Sequence, residues 1–554
     1  MMSHFNKLRA PLFSIHEFPS LAQQEQRFKN AGWASAQARS LWDLWSDNTF
    51  LPESVRAGLD QFEAFDEWEE FALFASHYFL LIASNNPESK DTTKDSVSSS
   101  GQETNTSEQF VLQPHCPPEK RGRRRYGALV PDPSGLVGNH GGQGEQSRLA
   151  TTDVYTRSEV TEPQAPLPSR DISTRMCHTI TQLGESGCIL IGGRASPAAP
   201  LDDCWLRQDN TWRQVHPLPK PRFRHNATNV SLSGTTESIL VYGGKSKDNV
   251  ILDSWLLWNE QDEQGWQTVE VVGTRPEARF GACFSKIDDH SGVLFGGIGH
   301  NGTILEDVWT WNLSRRSDGS YQVALTDQTH HVRHASPQLF PYLCRFGATA
   351  NATSRGLVVA GGIMPRQLVP ASKEILHLDT KELLQMTKPC STHLISAIGL
   401  GRSFNGPKPL LTGHVAYTID DDQVLFFGGG AVCFSFGTFW TEGTWTLKPL
   451  NHKSENTWTI VAPKKAAPAK PTAPPTVPKR GTTLEKTEPT PIPRVRIDSA
   501  AQFQQIVTHG KPVIFEGSDI GPCTQRWTKE YLTSAVGPDR KVRQAPADCA
   551  TQAG

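Results

Sequence analysis

Ile239-Leu-Val-Tyr-Gly-Gly244 is preceded by Arg224-His225 and followed by Asp253-Ser-Trp255 and Trp266. The same order recurs along the chain. Glycine doublets stand at 141–142, 192–193, 243–244, 296–297, 361–362 and 428–429, at spacings of 51, 51, 53, 65 and 67 residues. Apolar runs lead into five of them: Cys188-Ile-Leu-Ile, Ile239-Leu-Val-Tyr, Gly292-Val-Leu-Phe, Leu357-Val-Val-Ala and Val424-Leu-Phe-Phe. An apolar run ending in paired glycines reads as a buried strand running into a tight turn, where a side chain would clash with the neighbouring backbone. Asp-x-Trp follows at Asp203-Cys-Trp205, Asp253-Ser-Trp255 and Asp307-Val-Trp309, with Asp153-Val-Tyr155 a weaker copy. A second tryptophan follows at 212, 266 and 458. Each unit therefore carries four short strands. Such a unit cannot bury both faces of its sheet alone, so copies must stack, and a ring leaves no free end.

A period near 50 residues with a glycine doublet and downstream aromatics resembles the kelch repeat, whose unit is one blade of a β-propeller. Six doublets imply six blades over 119–461, and a mainly β protein. Spacings of 65 and 67 imply insertions near 314–338 and 381–410. Whether Trp458 or a strand near Phe110 closes the last blade is left open by the sequence. Trp205, Trp255 and Trp309 are expected to be buried at equivalent positions.

The chain has 554 residues, with 55 Lys+Arg against 57 Asp+Glu and a net charge of −2. It is no polycation, so nucleic-acid contact would have to come from a local patch. Its 45 glycines and 39 prolines favour turn-rich β architecture over helical bundles. Ten cysteines include no CxxC, which speaks against a zinc ribbon and for a reduced, cytoplasmic protein. No run of about 18 apolar residues suits a membrane span.

Composition divides the rest. Residues 18–85 read as helical, 86–118 as a disordered linker and 462–494 as a Pro/Lys-rich linker. Residues 495–543 read as the start of another domain, and 544–554 as an unpatterned tail. Ser20 and Gln23 match a capping box, with Gly32 as the stop. Trp68, Phe71, Phe74, Ala75, Tyr78, Leu81 and Ile82 recur at helical spacing as one stripe. Asp66, Glu67, Glu69 and Glu70 crowd the start of that helix, where carboxylates suit the dipole and the surface. Ser499 and Gln502 form a second capping-box match before Phe503, Ile506 and Val507. Lys511-Pro-Val-Ile-Phe515 reads as a strand and Trp527 to Leu532 as a short helix.

Candidate site residues are few. Lys120, Arg121, Arg123, Arg124 and Arg125 form a basic run suited to phosphate contact, or else a solvated approach to the first blade. Arg125, Arg175, Arg224, Arg279 and Arg345 recur once per unit. They suit an anionic ligand at the channel mouth or, as periodic residues usually do, bonds to neighbouring loop carbonyls. His330, His331 and His334 lack a nearby Cys or acidic partner and do not read as a metal site.

Gln26-Arg-Phe28, Gly32-Trp33, Phe65-Asp-Glu67, Glu69-Glu70 and His77-Tyr78 resemble the C-terminal end of the leucine carboxyl methyltransferase family. The stretch from Lys511 to Leu532 resembles the opening of a JmjC domain of the cupin type. The order methyltransferase, kelch propeller, JmjC resembles the wybutosine-synthesizing family of tRNA-modifying enzymes. That resemblance implies tRNA(Phe) as substrate and S-adenosyl-L-methionine as cofactor. It also implies carboxyl methylation followed by methoxycarbonylation of the modified guanosine beside the anticodon. The family's glycine-rich cofactor loop is not found in residues 1–85, and no His-x-Asp/Glu iron pattern follows Val542. No catalytic, cofactor-binding or metal residue is carried over, and the chain reads as an inactive fragment of such an enzyme. A non-catalytic kelch scaffold is the alternative.

Overall fold

In the computed structural model, the described residues are 6, 9, 13–62, 65–86, 109–115, 122–131, 136–157, 172–184, 187–208, 211–232, 237–263, 265–385, 393–400, 408–419, 422–433, 437–449, 458–460, 491–509, 511–517, 523–528, 530, 531 and 534. The chain forms two compact units, Met1–Pro463 and Lys464–Gly554.

The first unit is mainly β, with a propeller-like arrangement of sheets. Ala128–Pro131, Val137–His140 and Thr152–Arg157 pair antiparallel, and Trp458–Ile460 joins as the outer strand. Thr179–Leu183, Gly187–Ile191, Cys204–Gln208 and Thr211–Val215 make the next sheet. Asn226–Val230, Ser238–Tyr242, Trp255–Trp258 and Trp266–Val272 then pair in order. Their outer strand runs parallel to Tyr321–Asp327, which joins them to Val308–Arg315, Ser291–Phe295 and Cys283–Lys286 in an eight-stranded sheet. Thr349–Thr353, Gly356–Ala360, Ile375–Leu378 and Ile395–Ala397 form another. The last contains His414–Ile419, Gln423–Gly428 and Thr444–Pro449, with Gln109–His115 outside and Gly399–Leu400 at its edge.

Both candidate closing strands are used, in different sheets. Phe110 pairs with Pro449 in the last sheet, and Trp458 pairs with Arg157 in the first. Residues 109–115 are thus a strand within the span read as linker. The rest of 86–118 beyond Asn86, and of 462–494 before 491, lies outside the described residues.

The doublets work by hydrogen bonding between sheets. The second glycine N–H donates to a carbonyl at the start of the next sheet: Gly142 to Arg175, Gly193 to Arg222, Gly244 to Arg279, Gly297 to Arg345, Gly362 to Leu411, and Gly429 back to Arg124. Gly243 has φ +68°, and a Cβ there would stand 2.5 Å from the Arg279 carbonyl oxygen. The strands before the doublets are the core: Ile189, Leu240, Val293, Val359 and Leu425 are fully buried. Trp255 and Trp309 are buried, whereas Trp205 is only half-buried. The first insertion carries helix Thr329–Ala335, with Val332 packed inward beside Phe340.

The N-terminal segment is not wholly helical. Leu21–Asn30 has the expected capping box, with Ser20 N donating to Gln23 Oε1 at 3.0 Å. The expected long helix ends at Ala75, and Phe79–Ser84 is a strand antiparallel to Ser35–Ser40. The apolar periodicity runs across this break because Phe79-Leu-Leu-Ile82 suits a strand as well as a helix stripe. In the second unit, Arg494–Arg496 and Ile514–Glu516 pair in parallel and are connected through helix Ala500–His509. The following helix is Cys523–Arg526, ending before Trp527.

Candidate functional site: the propeller mouth

Each sheet opens with four residues in register. The first is Arg124, Arg175, Arg222, Arg279, Arg345 or Leu411. These arginines hold their own sheets. Arg175 donates to the Gly192 carbonyl at 3.0 Å and bridges both Asp203 oxygens at 2.7 and 2.6 Å. Arg279 does the same with Gly296 and Asp307. Arg124 reaches Gly141 O and Asp153, and Arg345 takes three carbonyls, of Gly361, Lys373 and Glu374. Arg222 binds Gly243 O and Ser254 Oγ, leaving Asp253 exposed. Asp203 and Asp307 also accept from Trp205 and Trp309 at 2.7 Å, which explains the Asp-x-Trp spacing.

The third register position is Tyr126, Cys177, Arg224, Gly281, Gly347 or Gly413, all with φ between +50° and +71°. Their backbones bond to one another: Cys177 N–H to Tyr126, Arg224 to Cys177, Gly281 to Arg224, Gly347 to Gly281, and Tyr126 to Gly413. Tyr126, Cys177 and Arg224 at this position, and Arg194, Lys245, Ile298 and Ile363 directly after their doublets, meet the N-terminal segment.

One half of this face is charged. Arg224 Nε lies 2.5 Å from Asp66 Oδ1, and its two Nη groups reach Glu69 at 2.8 and 2.9 Å. Arg194 donates to Asp66 Oδ2 at 2.7 Å. The Tyr126 hydroxyl donates to Glu70 at 3.0 Å. Arg125 Nη1 stands 2.8 Å from Glu70 Oε1, close enough for an ion pair though not aligned as a hydrogen bond. Lys245 Nζ holds Asp60 at 2.8 Å. Asp66, Glu69 and Glu70 are 2%, 1% and 3% exposed, so the acidic run is interior rather than surface. Burial drives the Glu70 carboxyl up to about 7, assisted by Glu69 and opposed by Arg125. Burial works against the Arg224 charge, but Asp66 and Glu69 overcome it and hold the guanidinium firmly protonated. Burial likewise lifts the Cys177 thiol to about 11.

The other half is apolar. Ile251, Phe280, Ile298, Ile304, Phe346 and Ile363 pack with Trp42, Trp68, Ala72 and Ala75. Trp42 Nε1 donates to Met364 O at 2.8 Å, and Trp45 Nε1 to Gly302 O at 3.1 Å. Alanines 72 and 75 are fully buried and let the helix lie close. A large aromatic buries ~150–250 Å² at about 25 cal/mol/Å², so Trp42 and Trp68 contribute about 4–6 kcal/mol each as an upper bound. Buried ion pairs roughly cancel against their own desolvation. The apolar half therefore supplies most of the holding energy, and the charged half fixes orientation.

The basic run divides. Arg124 and Arg125 are enclosed by the protein, a correction to their reading as tRNA contacts: one binds Asp153 and the other faces Glu70. Arg123 stays at the surface, paired with Glu145 and Glu442. Lys120 and Arg121 lie outside the described residues. In the once-per-unit arginine series, two members were out of register. Arg124 and Arg222 hold the sheets, while Arg125 and Arg224 serve the mouth. Sequence reasoning missed Arg194 and Lys245. Their signal was their place directly after a doublet, which Ile298 and Ile363 also occupy. His330, His331 and His334 sit on one short helix, and among the described residues no group of three or more His, Cys, Asp or Glu could hold a metal ion. Among those residues no helix is long and apolar enough to cross a membrane.

A family profile described as tRNA wybutosine-synthesizing protein 4, beta-propeller, matches residues 172–443. The chain is 54% identical over 546 residues to tRNA wybutosine-synthesizing protein 4 of Aspergillus fumigatus, covering 98% of this chain and 51% of that protein. Over nearly its whole length the chain is similar to tRNA wybutosine-synthesizing protein 4. It is 52% identical over 550 residues to the family member of Aspergillus oryzae, 98% of this chain and 53% of that one. It is 25% identical over 469 residues to that of Saccharomyces cerevisiae, 80% and 60%. The chain spans about half the length of the Aspergillus relatives it matches.

The described strand Ser35–Ser40 runs directly into helix Leu41–Trp45 through the cap Ser40, with no glycine between them. Such a junction does not cradle S-adenosyl-L-methionine in the way a glycine-rich strand–loop–helix turn does.

Proposed function

We propose that the protein serves wybutosine-type modification of tRNA, its sheets closing as a six-bladed kelch propeller that carries the edge of a carboxyl methyltransferase domain on one mouth. Closure is supported by the ring of doublet bonds, which returns from Gly429 to Arg124, and by contacts between the innermost strands of the first and last sheets. The observation that carries the functional reading is the docking of Asp60 and residues 65–75, part of the 18–85 segment that resembles the carboxyl methyltransferase family. Four carboxylates there meet four cations of the propeller. A rigid platform gripping that edge suits an enzyme that must hold catalytic parts around a large RNA.

On this reading the whole protein uses S-adenosyl-L-methionine to methylate the side-chain carboxylate of the modified guanosine in tRNA(Phe). It then adds the methoxycarbonyl group, in the cytoplasm. The parallel strand pair in the second unit suits the start of a JmjC-like domain. Arg123, at the surface beside Glu145 and Glu442, is the described member of the basic run proposed for phosphate contact.

The test is disruption of the gene, followed by mass spectrometry of nucleosides from tRNA(Phe). Wybutosine should vanish and a precursor with a free carboxylate should accumulate. Unchanged wybutosine would overturn the proposal and favour the scaffold.

A further inference from the structure

Between the N-terminal segment and the propeller face lies a cleft of about 290 Å³, bordered by Trp45, Phe65, Trp68, Phe71, Phe280 and Arg56. That volume is at the lower end of the ~300–1,000 Å³ of small-ligand sites. The four aromatic rings of the segment meet edge-on or tilted, with centroids 5.2–6.0 Å apart. They form a wall of π surface broken by two polar groups that the fold itself leaves incompletely answered.

The first is the Trp68 indole N–H. Trp68 is 3% exposed, and its Nε1 has no hydrogen-bond partner. Trp42 and Trp45, from the same segment, both find carbonyl acceptors. A buried donor without an acceptor costs about 1–3 kcal/mol, so an acceptor brought by a ligand would be rewarded. The second is Arg56, 1% exposed. Among the described residues its guanidinium donates only to neutral oxygens: Asn301 O, Trp45 O, Leu51 O and Asn48 Oδ1. Every other buried cation at this mouth has a carboxylate in direct contact; Arg56 has none that close, Glu53 and Asp47 acting on it only at longer range.

Aromatic walls, an unanswered N–H and a cation lacking a contacting anion together fit one ligand chemistry. We propose that the cleft receives an unstacked nucleobase, its π faces against the aromatic wall and its edge acceptors toward Trp68 and Arg56. Base stacking on aromatics is tolerant of sequence, and arginine favours purine edge acceptors. The base could belong to an RNA strand or to a free nucleotide. The RNA source rests on the tRNA reading above; the free-nucleotide source does not.

The experiment is a calorimetric titration of the full chain with guanosine monophosphate and, separately, with a single-stranded purine-rich RNA hexamer. Both should bind. Trp68→Phe keeps an aromatic face but removes the N–H together with part of the indole, and should weaken binding at least about 3–10-fold, the worth of one hydrogen bond. Leu59→Trp, at an exposed position on the cleft rim, should abolish binding while leaving the melting temperature unchanged. This second variant decides the matter if Trp68→Phe fails to fold. Binding of the mononucleotide alone would keep the base site and remove its RNA source. Binding of neither probe, or binding indifferent to both variants, would overturn the proposal. Neither result depends on whether disruption of the gene abolishes wybutosine.

Discussion

Two sets of arginines lie within a few residues of each other and do opposite work. Arg124, Arg175, Arg222, Arg279 and Arg345 each hold a glycine carbonyl of their own sheet. Arg125, Arg194 and Arg224, with Lys245, reach across to carboxylates 55 to 185 residues away in sequence. The first set belongs to the repeat, and its geometry recurs because the local backbone recurs. The second depends on a foreign segment, so it is confined to one half of the mouth. The comparison teaches that recurrence marks an arginine as structural, and that a cation breaking the recurrence marks an interface.

The largest expected effect strikes the first set. Arg279→Ala leaves Asp307 and the Gly296 carbonyl without their cation, and should cost about 3–5 kcal/mol of propeller stability in urea denaturation. A loss below about 1 kcal/mol would break the comparison at its structural end.

Arg224→Met strikes the second set, leaving Asp66 to Arg194 alone and taking from Glu69 its ion pair. The penalty should be about 3 kcal/mol but should fall on docking. Limited proteolysis should cut within 41–84 while the 128–449 sheets persist. If the sheets lose stability as they do in Arg279→Ala, the two sets are not separate.

Glu70→Gln sharpens the electrostatic half. The folded Glu70 pKa, about 7, lies above its ordinary 4.5. The folded state therefore binds a proton more tightly, and its contribution is full below about pH 4.5 and lost as pH rises through about 7. Glutamine lacks this slope, so the variant should gain about 2 kcal/mol on wild type between pH 5 and pH 8. The buried histidines act oppositely. Burial holds His140 and His225 near 3, so stability falls as pH drops below their ordinary 6.5. Thermal melts of the two proteins at matched pH cancel that background. Parallel curves would show that Glu70 carries no titration.

The smallest effect compares two copies of one motif. Trp309→Phe and Trp205→Phe each remove one bond to an aspartate, and each should cost about 1–2 kcal/mol. The buried Trp309 should sit at the upper end and the half-buried Trp205 at the lower, by chemical denaturation. The reverse order would mean that packing rather than the aspartate bond dominates.

Much of the fold was legible because it is local. The doublets, the Arg-to-Asp distance of 28 residues at Arg175–Asp203 and Arg279–Asp307, and the apolar runs are short-range and repeat. The site was less legible. Asp66, Glu69 and Glu70 look like ordinary dipole-facing surface residues until their partners arrive from 56 to 158 residues away. Phe79–Ser84 continued a helical apolar period and became a strand because Ser35–Ser40 offered it backbone partners.

The sequence by itself determined the repeating sheet, its glycine turns and its arginine clamps, since each is satisfied by residues within one or two units. Only the tertiary structure decided which arginine of Arg123-Arg-Arg125 turns inward, and which of Arg222-Phe-Arg224 reaches the mouth. It also decided that the strands at 109–115 and 458–460 complete sheets at opposite ends of the array. The physical reason is common to all three. A charge or an unpaired strand edge is cheap in water and costly once covered, so its fate depends on what covers it. That covering element lies far along the chain, beyond the reach of any local pattern.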